Sequence, residues 1–94
     1  MSETWLVVRI DMAHYQTPEG EREVGRYSSF EAAQNVARDI LRRSLVDLRG
    51  RNRSAATLSR LWWIYGEDAF VHGPQGRSWR ASAELDAVIA SLTR

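Results

Sequence analysis

Glu67 and Asp68 stand side by side after Gly66, and a short apolar run then ends at His72. Two carboxylates and an imidazole are the groups of a divalent-cation site or of acid–base catalysis. Their spacing argues against both, because side chains at i and i+1 diverge and no further ligand can be nominated. Solvation of a turn is the expectation for the pair. His14 and His72 lack any serine or acid partner pattern and read as loop or strand-end residues. The chain has no cysteine, which removes a thiolate nucleophile and any cysteine-bound zinc. No catalytic, cofactor-binding or metal-binding residue is assigned, no cofactor is implied, and an enzyme is the least supported reading.

Arginine offers the next chemistry. Arg49, Arg51 and Arg53 fall within five residues, close to Arg42, Arg43 and Arg60, with Asp47 as the acidic neighbour. Such a loop could grip phosphate through paired N–H donors, which makes binding of nucleic acid or another anion an alternative function. The plainer expectation is that arginines near a helix C-terminus complement its dipole and keep a loop solvated. No RNP, KH or helix-turn-helix signature accompanies them. All 13 basic residues are arginine, which GC-rich coding explains most simply, and the net charge of +1 exerts no global pull on polyanions.

The elements that must position these residues follow from periodicity. The 94 residues suffice for one domain with a modest core. Trp5 to Ile10 alternates as a half-buried strand, predicted to send Leu6, Val8, Ile10 and Met12 inward, with Arg9 and Asp11 opposite and Trp5 and Val7 on the outer side. Thr17-Pro18-Glu19-Gly20 signals a turn, and Glu23 to Tyr27 returns as the second strand of a hairpin with a bulge expected at Gly25. The polar connection from Asp11 to Arg22 has few apolar anchors and is expected to be mobile. A serine cap at Ser28 or Ser29 opens a helix that ends at Gly50, with Phe30, Ala33, Ala37, Ile40, Leu41 and Leu48 as its apolar stripe. Ser44 interrupts that stripe and is expected to bond back to a carbonyl one turn earlier; Val46 faces outward.

Ser54 to Tyr65 admits two readings, since Leu61-Trp62-Trp63-Ile64-Tyr65 alone could be a buried strand. Context decides for helix. Leu58, Leu61, Trp62 and Tyr65 share one helical face, Ser54 caps the start, and Gly66 suits an end that needs positive φ. Ala69 to His72 is a third, short strand, and Ser82 is expected to cap a final helix carrying Leu85, Val88, Ile89 and Leu92, with Trp79 as a staple before it. The order is β-β-α-α-β-α, an α+β domain in which an antiparallel hairpin and a short third strand pack against helices.

Ser54-Ala55, Leu58, Trp62, Tyr65 to Val71, Trp79 and Ala81-Ser82-Ala83 resemble a group of small bacterial proteins. In that group a helix ends in aromatic-Gly-Glu-Asp-Pro-aromatic-Ile/Val and a Ser-Ala-capped helix follows; here Ala69 replaces the proline. The resemblance spans about the last two thirds of the chain, implies a helix at Ser54 to Tyr65, and carries no activity.

No apolar run approaches the roughly 20 residues of a membrane span, and Met-Ser-Glu-Thr lacks the features of a signal peptide. The absence of cysteine fits a cytoplasmic protein. Periodicity leaves Trp5, Val46, Trp63 and Ile64 outside the core. Exposed apolar groups that cluster usually mark an interface, so the expected function is a small non-catalytic interaction module, self-associating or bound to a protein partner.

Overall fold

In the computed structural model, which describes residues 3–15, 17–51 and 54–93, three helices cover one antiparallel sheet. The strands are β1 (Trp5–Asp11), β2 (Glu21–Tyr27), β3 (Glu67–His72) and β4 (Ser78–Arg80), in the order β2-β1-β3-β4. The helices are α1 (Phe30–Arg49), α2 (Ala55–Tyr65) and α3 (Leu85–Leu92). This is the expected α+β class, with β4 as a strand that periodicity did not announce. Three residues between a glycine-rich turn and a 3-10 turn are too few to show a period, and β4 exists because it pairs with β3, Trp79 facing Val71.

The core face of β1 differs from the predicted one. Trp5 and Val7 are buried, and the register sets Val7 opposite the equally buried Val71, while Leu6 and Val8 are half-buried on the other side. Four successive apolar residues, Trp5 to Val8, give no phase for a period-two pattern, so packing chose it. Ile10 and Met12 are buried as expected. The bulge expected at Gly25 falls one residue away: Val7 pairs with Gly25 and Val8 with Glu23, which leaves Val24 unpaired and exposed. Between the strands, Asp11 accepts from Ala13 N, Thr17 Oγ1 donates to the His14 carbonyl, and Gly20 is buried where a Cβ would strike that same carbonyl. The connection expected to lack anchors is pinned by polar ones.

α1 lies across β1 and β3 and buries Ala33, Ala37, Leu41, Ser44 and Leu45. Ser29 caps it by accepting from Ala32 N at 3.1 Å. Ser44 does not bond back along its own helix; its Oγ accepts the Glu67 N–H at 2.8 Å and so fixes where β3 begins. α2 forms as predicted, with Ser54 Oγ accepting from Thr57 N. Leu58 and Trp62 are its buried residues, and the Trp62 indole donates to the Glu67 carbonyl. Gly66 ends α2 at φ −79°, not at positive φ. Its requirement is steric, because a Cβ there would sit 2.3 Å from Trp62 Cδ1. Ser82 lies inside a 3-10 turn, Ala81–Glu84, and caps nothing; its own N–H donates to Asp68.

Candidate functional site

The outward half of α2 carries the most pronounced surface feature. Trp63 is 53% exposed, Ile64 47% and Tyr65 61%. Three consecutive helical residues sweep about 200° of the helix circumference, so the whole side of α2 away from Leu58 and Trp62 is apolar or aromatic over its last turn. Trp63 meets the buried Trp62 edge-to-face, ring centroids 5.0 Å apart, which holds the exposed indole against a fixed support. Val46 on α1 is exposed as predicted.

Two residues change sides. Trp5 was expected outside the core and is 4% exposed, enclosed at the start of β1, so it leaves the candidate interface. Tyr65 was expected on the core face and is the most exposed large side chain of α2. The chain turns into β3 at Gly66, one residue later, and leaves Tyr65 uncovered while Trp62 of the same turn is buried. Only spatial knowledge of where α2 ends relative to its support could have moved Tyr65 into the site.

The arginine loop is partly engaged. Arg49 Nη1 donates to the Leu92 carbonyl at 3.1 Å, so it caps the C-terminal end of α3, a different helix from the one its position suggested. Arg51 is exposed, and Arg53 lies outside the described residues.

The adjacent carboxylates separate. Glu67 forms a surface ion pair with Arg9 at 3.1 Å. Asp68 is fully buried, against the expectation that it solvates a turn. It accepts from Ala69 N at 2.8 Å, from Ser82 N at 3.0 Å and from Arg80 Nε at 2.6 Å. The Arg80 guanidinium in turn lies 4.6 Å from the Phe70 ring centroid and 5.7 Å from that of Tyr15. Both carboxylate oxygens of Asp68 are thus engaged, two of the three bonds tying β4 and the following turn to β3, a structural use of charge. His72 ends β3, exposed, and His14 Nδ1 donates to Asp11 Oδ2 on the surface, 3.1 Å away. Among the described residues no group of three metal-ligating side chains comes together.

No model of a known protein family matches this chain, and no curated protein matches it. Among the described residues, no helix is long and apolar enough to cross a membrane.

Proposed function

We propose that this protein is a small interaction module that associates with a second copy of itself through the outward half of α2. The observation that carries this reading is the run Trp63, Ile64 and Tyr65, each about half exposed or more, on one helical turn. Trp and Tyr are among the residues that dominate binding energy once desolvated, and here two of them flank an exposed isoleucine. A two-fold pairing supports itself with one self-complementary patch, whereas a foreign partner needs a second evolved surface. The net charge of +1 adds little repulsion between copies.

Anion binding through Arg49 and Arg51 has less support, because Arg49 spends its guanidinium on α3. Sedimentation of the wild type beside a Trp63→Glu, Ile64→Lys double variant tests the proposal. A dimer is expected for the wild type at micromolar concentration and should persist in high salt, since apolar contact is not screened; the variant should run as a folded monomer. A wild type that stays monomeric at high micromolar concentration would end the proposal.

A further inference from the structure

Away from α2, the start of β1, the first residue of α1 and the edge strand β4 meet around a cleft. Trp5, Phe30 and Trp79 wall it. Trp5 and Phe30 lie with ring centroids 5.1 Å apart and planes tilted by 56°, and Phe30 meets Trp79 edge-to-face at 6.3 Å. Arg77 and Ser78 complete the lining, and the volume is about 400 Å³. That lies within the range of small-ligand sites, roughly 300–1,000 Å³.

Two observations give this cleft a chemistry. Trp5 is 4% exposed, and among the described residues its indole Nε1 is the one buried side-chain polar atom without a hydrogen-bond partner. A buried donor left unpaired keeps its full desolvation penalty, and the contrast with Trp62, whose N–H is satisfied by the Glu67 carbonyl, shows that the fold does supply acceptors for buried indoles. The six-membered edge of Trp5 is pressed onto Gly73, where a Cβ would fall 2.1 Å from Cζ3. The Nε1 edge is the opposite one. The second observation is Arg77, which lines the cleft, is exposed and forms no ion pair among the described residues; Arg22, Arg42, Arg51 and Arg60 form none either, so what sets Arg77 apart is its place beside the aromatic walls.

We propose that the cleft binds a small aromatic carboxylate. The guest's ring lies against Phe30 and Trp79, and its carboxylate takes both the Trp5 N–H and the Arg77 guanidinium. The N–H has almost no surface of its own, so the guest's oxygen reaches it only as the walls of the cleft move apart. A neutral aromatic would satisfy the walls but not the cation, and an aliphatic carboxylate would satisfy the cation but not the walls. Selectivity for the combination is the signature of this site.

The test is a titration of the full chain with 2-naphthoate, followed through the four indole N–H signals in a proton–nitrogen correlation spectrum, each assigned by a Trp→Phe variant. Acetate and 2-naphthalenemethanol serve as controls. A saturable downfield shift of the Trp5 indole proton is expected, with a Kd below about 1 mM. Arg77→Gln, an exposed change that leaves the core untouched, should weaken binding roughly threefold, and Trp79→Ala should abolish it. The same shift is expected in the Trp63→Glu, Ile64→Lys variant, so failure here is distinct from failure of the dimer. Three results would each overturn the proposal: no saturable shift up to about 10 mM, an equal response to acetate or to the neutral alcohol, or a free-state Trp5 proton already shifted upfield because it lies over the Phe30 ring and has found its partner there. Should Trp79→Ala unfold, Arg77→Gln and the two controls still decide.

Discussion

Asp68 shows how far one residue's role depends on residues remote in sequence. Next to Glu67 it reads as half of a solvated pair, yet it is fully buried because Arg80 and Ser82, on a strand and a turn that no periodicity announced, converge on it. Removing one member of a buried charged pair leaves the other desolvated and unpaired, at about 3–5 kcal/mol. Arg80 keeps a third of its side-chain surface in water, so about 3 kcal/mol is the expected loss for Asp68→Asn, read as a shift in the urea midpoint without a change in slope. A second charged contact gives an acid-dependent term. Arg38 donates to both oxygens of Glu84, at 2.8 and 2.7 Å, and this hydrogen bonding holds the Glu84 carboxyl below its usual range. A carboxyl whose pKa is lowered by folding stabilises the native state above its unfolded value, about 4.3, and that contribution is lost as pH falls through the lowered folded value. Both side chains remain partly in solvent, so the contribution is under about 1 kcal/mol. Glu84→Gln should accordingly unfold at the same denaturant concentration as wild type once the pH lies well below that lowered value, and at a slightly lower one at pH 7.

At the scale of elements, the passage from α2 into β3 concentrates the tightest requirements. The Trp62 indole reaches the Glu67 carbonyl, Ser44 of α1 accepts the Glu67 N–H, and Gly66 turns the chain with its Cα against Trp62. Glycine was legible there as a helix end. Its reason was not, because positive φ is a property of the backbone alone, whereas the observed constraint is the Trp62 indole and carbonyl, which leave no room for a Cβ. Gly66→Ala has an allowed φ and still forces Trp62 or the helix end to move, so a loss of about 1–3 kcal/mol is expected from overpacking; a thermal melt would measure it, and an unchanged melting temperature would show that the contact relaxes freely. α2 itself was readable against the strand alternative, since its serine cap and the Leu58 to Trp62 spacing agree with each other and need no distant partner.

For the molecule as a whole, the two candidate surfaces are built in opposite ways. The α2 surface is apolar area left over once the core is complete, so Trp63→Glu with Ile64→Lys should cost the monomer no more than about 1.5 kcal/mol, the scale of the lost Trp62–Trp63 contact, while removing association; a variant that unfolds would show that these side chains belong to the core. The aromatic cleft belongs to the core's own edge. Sequence alone determined the elements whose evidence is local: the serine-capped α1 and α2, the hairpin, the apolar stripe of α3, the α+β class, and the outward position of Val46, Trp63 and Ile64. These rest on periodicity, caps and turns within a few residues, where the forces are short-ranged and the code is dense. Tertiary structure decided which face of β1 is buried, that Trp5 is core and Tyr65 surface, that Arg49 serves α3, that Asp68 is a buried anchor, and that Trp5, Phe30 and Trp79 share one cleft. Each of these depends on groups brought together from distant points of the chain by burial of apolar surface, a non-directional force that leaves no mark in the local pattern.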